Sequence, residues 1–175
     1  MTLNNRLLLK TYLHQWLANF STMNTSRESL IKSCKAIEQF MVNNTIKRLW
    51  CDSPILLTST LDDALGYGLD IIEKFSSTLG MTVTRIGLMV EPKTIIEACQ
   101  NKCPDFLGMT VLQFDSEDEL QMISKALPEK TCFIAGGPLF KQNSNFARNC
   151  GIHVPINSVE EYIHYLLNHD QGEMK

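Results

Sequence analysis

Pro54-Ile55-Leu56-Leu57-Thr58-Ser59-Thr60-Leu61-Asp62-Asp63-Ala64-Leu65-Gly66-Tyr67-Gly68 joins a short apolar run to a glycine-punctuated turn, and the turn to a helix. Residues 54–59 are of strand type: the run is too short for a buried helix and turn chemistry follows at once. Residues 68–79 then read as a helix, with Gly80 in the position that ends many helices. A strand handing over directly to a helix of this length opens a strand–helix–strand crossover.

The same unit recurs downstream. Residues 81–87 alternate and are rich in β-branched side chains, as a strand requires. Pro92 suits a first helical position, and the helix runs to about residue 102. Residues 106–112 read as a strand, 116–127 as a helix begun by serine and acidic residues, and 131–135 as a strand. Residues 138–149 mix helix and loop character, 152–156 form a fifth strand, and 158–168 a closing helix. Strands alternating with helices predict right-handed crossovers and a parallel sheet. The expected fold over residues 53–169 is therefore α/β: a five-stranded, doubly wound parallel sheet of flavodoxin-like Rossmann type. Its ligands are expected at the carboxyl ends of the strands, where strand order switches.

Residues 1–50 have a different character and are expected to form a two-helix segment. Leu3, Leu7, Leu8, Tyr12, Leu13, Trp16, Leu17 and Phe20 recur at helical spacing. After a polar break, Thr25 and Glu28 fit a capping box, and Leu30, Cys34, Ile37 and Met41 repeat on one face of a second helix. Two lone helices bearing Trp16, Phe20 and Phe40 leave apolar surface in need of a partner, which suggests a homodimer that pools them into a bundle. Residues 170–175 read as a tail.

The 175 residues suffice for one good core, and 44% hydrophobic with 20% charged residues is ordinary globular composition. A net charge of -3 gives no electrostatic reason to expect nucleic acid or an anionic membrane. No apolar run reaches the roughly 18 residues of a membrane helix, and the first ten residues are no secretory signal. The six cysteines are scattered without a CxxC pair, which fits reduced, mostly buried thiols in a cytoplasmic protein. Cys99 and Cys103 lie four apart on a predicted helix and would share a face, which is half a zinc site at most.

Three short segments follow the first, third and fourth predicted strands: residues 63–68, Thr110-Val111-Leu112, and Gly136-Gly137. In order and spacing they resemble the cobalamin-binding domain of methionine synthases and corrinoid methyl carriers, whose motifs are Asp-x-His-x-x-Gly, Ser-x-Leu and Gly-Gly. Asp63, Gly68, Leu112, Gly136 and Gly137 match, and Thr110 matches conservatively. The likeness extends over Cys103-Pro104-Asp105-Phe106-Leu107-Gly108-Met109 and covers about residues 53–169. At the place of the cobalt-ligating histidine stands Leu65, which has no lone pair to give a metal.

The resemblance implies a cofactor set of Ser59, Asp63, Leu65, Gly66, Gly68, Thr110, Leu112, Gly136 and Gly137. In the family the nucleotide tail threads between the first, third and fourth strands, and the corrin ring rests above. Gly136-Gly137 would let the tail lie on bare backbone, or merely end a strand. Thr110 would offer a hydroxyl to the tail, or be an ordinary strand residue. Gly66 and Gly68 would bend the loop over the tail. Asp63, deprived of a histidine to orient, is expected to cap the following helix. Leu65 beneath cobalt would favour a lower coordination number; alternatively it fills the core of a degenerate pocket. His153, at the fifth strand, is a remote candidate at the same edge.

Asp62-Asp63 after the first strand also resembles a response-regulator receiver. The chain lacks that family's aspartate after the third strand and lysine after the fifth. The function expected is cobalamin (corrinoid) binding without a histidine ligand, as a methyl carrier serving a methyltransferase or activator protein. No residue pattern suggests a general base or nucleophile of a stand-alone enzyme. The alternative is a regulatory or interaction module of the same fold that senses another tetrapyrrole or has lost the cofactor.

Overall fold

The computed structural model describes residues 3–20, 26–142 and 145–169. Its sheet consists of β1 (Ile55–Thr60), β2 (Thr82–Gly87), β3 (Phe106–Thr110), β4 (Cys132–Gly136) and β5 (Val154–Ile156), in the order β2-β1-β3-β4-β5. This is the doubly wound, parallel arrangement expected, with its switch point between β1 and β3. Register fixes the site's geometry: Thr60 pairs with Thr110, Thr110 with Gly136, and Gly136 with Ile156. The ends of four strands thus form one row.

The chain divides into two compact units. One comprises Pro54–Asp70 and Val83–Ser158. It holds most of the sheet, α4 (Pro92–Lys102), α5 (Glu117–Ala126) behind a 3-10 turn at Phe114–Ser116, and the short α6 (Leu139–Gln142) and α7 (Phe146–Asn149). Leu57, Leu107, Met109, Phe133 and Ala135 on the strands pack with Ile95, Cys99, Leu120, Ile123 and Phe146. Leu56, Phe106 and Ile134, on the opposite face of the same strands, are buried too. Burial on both faces is what a parallel sheet covered by helices requires.

The other unit gathers Met1–Ser53, Ile71–Thr82 and Val159–Lys175. It contains α1 (Leu3–Ala18), α2 (Arg27–Asn43), most of α3 (Tyr67–Thr78) and α8 (Val159–Asn168). Leu9, Leu13 and Leu17 of α1 and the predicted stripe Leu30, Cys34, Ile37 and Met41 of α2 are all buried. Tyr12 stacks on Phe40 with ring centroids 3.9 Å apart, and Trp16 meets Phe20 at 5.1 Å and Phe75 at 5.7 Å. The aromatics that suggested a need for a partner thus have partners within the unit. Leu7, Leu8 and Val42 stay exposed. Ser76 and Tyr162 share a buried hydrogen bond of 2.7 Å. Among the described residues no helix is long and apolar enough to cross a membrane.

Several boundaries differ from the sequence reading for identifiable reasons. β3 stops at Thr110, short of residue 112, because the N–H groups of Leu112 and Gln113 donate to the Asp62 carboxylate, at 2.9 and 2.8 Å. Residues 138–149 resolve into α6 and α7. The cap of α2 is Ser26, which accepts from the Ser29 N–H at 3.3 Å; the expected Thr25 lies outside the described residues. Cys103 ends α4 in a left-handed conformation (φ 42°) and is exposed, whereas Cys99 is buried, so the two thiols share no face. His153 precedes β5 and its Nδ1 accepts from the N–H of Phe133, near the start of β4, at 2.8 Å. It therefore sits at the amino end of these strands, away from the edge where the sequence reading put it.

Candidate functional site

The loop after β1 is built around Asp63, a buried carboxylate. Its Oδ1 accepts from the N–H groups of Leu65 (2.8 Å) and Gly66 (2.9 Å), and its Oδ2 from the Thr110 hydroxyl at 3.2 Å. Thr60 completes the network: its hydroxyl donates to the Asp63 carbonyl at 2.6 Å and accepts from the Met89 N–H at 2.9 Å. Asp63 thus organises the turn that leads into α3, much as a cap does. Asp63 does not cap α3 as expected: both amides it holds, Leu65 and Gly66, precede Tyr67, where the helix begins.

Leu65 points outward, 65% exposed, so it does not fill the core. The turn that presents it needs Gly66, whose φ is +64° and whose missing Cβ would stand 2.7 Å from the Leu88 side chain. Gly68 faces Thr110, whose methyl would lie 2.7 Å from a Cβ there. Gly137 has φ +151°, and a Cβ would fall 2.0 Å from the Val111 carbonyl oxygen. Gly136 is less constrained, its nearest neighbour being the Ile156 carbonyl at 3.3 Å. Close approach of the chain to itself thus accounts for Gly66, Gly68 and Gly137. Ser59 is fully buried and donates to the Gly87 carbonyl at 3.2 Å, tying β1 to β2.

Three of the expected residues, Asp63, Gly68 and Thr110, are in direct contact or hydrogen-bonded as a group. Leu65, Gly66, Leu112, Gly136 and Gly137 border the same carboxyl edge, and Ser59 lies beneath it. Beside the motif residues Leu65 and Leu112, the edge carries three further exposed apolar side chains, Tyr67, Met89 and Phe114. Leu65, Tyr67, Met89, Leu112 and Phe114 are 65, 55, 61, 43 and 45% exposed, and follow β1, β2 and β3, three neighbouring strands. These five exposed apolar residues of the carboxyl edge are its apolar shelf, spread over the strand ends on either side of the switch point. Tyr67, Met89 and Phe114 were not among the expected site residues; each is an apolar residue within a few positions of a strand's carboxyl end, the one signal available for them.

Beside the shelf lies a cleft of about 320 Å³ lined by Leu61, Asp62, Met89, Gln113, Asp115, Ser116 and Glu119. Asp62 Oδ2 takes Leu112 N, Gln113 N and the Ser116 hydroxyl (3.3 Å), while its buried Oδ1 has no partner among the described residues. The cleft is therefore acidic. Among the described residues no group of three His, Cys, Asp or Glu side chains is arranged to hold a metal ion. Burial pushes the thiols of Cys34, Cys99 and Cys150 up to about 12, 11 and 11.

No family model and no curated protein matches the chain by sequence. Among solved structures it is similar to a cobalamin-binding protein from Desulfitobacterium hafniense DCB-2, with 17% identity and a TM-score of 0.69. The match covers 90% of this chain and 76% of that one.

Proposed function

We propose that the chain binds a corrinoid, cobalamin being the type compound, on the carboxyl edge of its sheet, with no protein histidine on the cobalt. The observation that carries this reading is the apolar shelf of Leu65, Tyr67, Met89, Leu112 and Phe114, which lies where three corrinoid-type motifs converge. An exposed apolar surface at a switch point is an invitation to a large flat ligand. The likeness in fold to a cobalamin-binding protein of D. hafniense is consistent with it.

The residues fit a ring and do not fit histidine-ligated metal. Leu65 offers hydrocarbon where the family has imidazole, and both oxygens of Asp63 are already engaged by Leu65 N, Gly66 N and Thr110. When bound, a corrinoid supplies a cobalt able to carry a methyl group. The protein's own residues hold the ring and exclude water from one of its faces. The carrier role, with a methyltransferase or activator protein as partner, belongs to this proposal. So does a homodimer through α1 and α2, resting on exposed Leu7, Leu8 and Val42 alone.

The acidic cleft argues for a corrinoid over a carboxylate-bearing tetrapyrrole. Corrin side chains end in neutral amides that can donate to Asp62, Asp115 and Glu119, whereas haem propionates would be repelled. The second reading, a module of this fold without a ligand, draws on Gly68 and Gly137, which the chain's own close approaches explain. Titration with cobalamin and with haem, followed by gel filtration and visible absorbance, separates the two. A coloured cobalamin complex that survives the column is expected, with haem retained poorly. A colourless protein in both arms overturns the proposal, and retention of haem alone transfers the site to another tetrapyrrole.

A further inference from the structure

Met89 is held in an uncommon conformation. Its φ is +51°, a left-handed backbone that disfavours any side chain, yet the residue is not glycine. Two hydrogen bonds fix it there: Met89 N donates to the Thr60 hydroxyl at 2.9 Å, and Val90 N to the Thr60 carbonyl at 2.8 Å. Its neighbours turn inward, with Leu88 close to Gly66 and Val90 close to Gly87 and against the core. The kink leaves Met89 alone facing out, 61% exposed, at the junction of the shelf and the acidic cleft. Strain of this kind survives at positions where the outward side chain does something for the molecule.

We propose that Met89 is a binding residue of the corrinoid site, its thioether side chain lying on the ring face as an apolar contact and not as a ligand to cobalt. The inference rests on the corrinoid reading above and adds a residue that no corrinoid motif contains. An unbranched, polarizable side chain suits a ring with an uneven periphery, because it repacks at little cost. The strained backbone sets its direction before the ligand arrives, which reduces the ordering required on binding.

The test compares wild type with Met89→Gly and Met89→Leu in two measurements, thermal unfolding of the ligand-free protein and cobalamin titration followed by visible absorbance. Glycine relieves the left-handed strain and loses a mostly exposed side chain, so Tm should stay level or rise by about 2–4 °C. The same variant should bind cobalamin about tenfold more weakly, the loss of roughly half a buried methionine's worth of apolar contact. Met89→Leu conserves volume and should bind within about threefold of wild type. Wild-type binding with an equally tight Met89→Gly overturns this inference while leaving the corrinoid reading standing. So does a Tm lowered by more than about 4 °C in Met89→Gly, which would make the residue structural, or a tenfold loss in Met89→Leu, which would make sulfur itself essential. Failure of wild type to retain any cobalamin overturns both.

Discussion

Thr110 at the end of β3 donates its hydroxyl to Asp63 Oδ2 in the loop after β1, 3.2 Å away across the switch point of the sheet. Asp63 is thereby shared between two tasks, since its Oδ1 already holds the N–H groups of Leu65 and Gly66. Removing the carboxylate leaves two loop amides and a part-buried hydroxyl without a partner. Asp63→Ala should therefore destabilise the protein by about 2–3 kcal/mol, read from denaturant unfolding. Asp63→Asn keeps one oxygen for the amides and offers an N–H that the Thr110 hydroxyl can accept. It should cost less than about 1 kcal/mol. Equal losses in both variants would mean that charge, not hydrogen-bond geometry, fixes the loop.

Leu65 tolerates replacement because it is mostly exposed and its side chain carries no core contact. Leu65→His should change stability by no more than about 0.5 kcal/mol. If the corrin ring lies on the shelf as proposed, the new imidazole meets cobalt and shifts the visible bands of the cobalamin complex. Asp63, already occupied by loop amides and Thr110, gives that histidine little orientation, so its hold on the metal should be weaker than that of a histidine oriented by a free carboxylate. Identical spectra for the two proteins would move the ring off position 65.

The two glycines at the end of β4 should behave differently. Gly137 combines a φ of +151° with a Cβ position 2.0 Å from the Val111 carbonyl oxygen, a backbone atom that cannot step aside. Gly137→Ala should cost about 3 kcal/mol or more and lower Tm by roughly 6 °C or more. At Gly136 the nearest atom is 3.3 Å away, and the added methyl requires only a small shift. Gly136→Ala should cost about 1 kcal/mol. Comparable Tm values for the two would contradict the geometry of this turn.

Much of this architecture was legible in the residues, and the rest was hidden for physical reasons. The short apolar run at β1 announced a strand, and strands alternating with helices announced parallel order. The extent of β3 was not legible, because its end is decided by the Asp62 carboxylate, fifty residues earlier, taking the N–H groups of Leu112 and Gln113. The side on which His153 lies turned on β5 beginning only at Val154, which no local pattern marks. The motif residues were found by their spacing, but what they touch was not. Gly68 and Gly137 looked like room for a ligand and proved to be close approaches of the chain to itself. Met89 was missed because a strained φ is a property of the folded loop and not of its composition.

Thiol chemistry offers a check on both units that needs no ligand. Burial raises Cys34 to about 12 against the partial opposition of Lys74, and raises Cys99 and Cys150 to about 11, from an ordinary 9.0. These three should resist a thiolate-specific reagent in the native protein, whereas exposed Cys51 and Cys103 react promptly. The same shifts set a pH dependence. A thiol whose folded pKa lies above its unfolded one keeps its proton longer when folded, so stability is full below about pH 9 and falls as pH rises from there towards 11–12. Tyr162, buried beside Ser76 and likewise pushed upward, acts in the same sense. Denaturant midpoints measured from pH 8 to pH 11 should decline, and a Cys34→Ala variant should decline less steeply. A midpoint that rises with pH would show that these groups are not buried in the folded state.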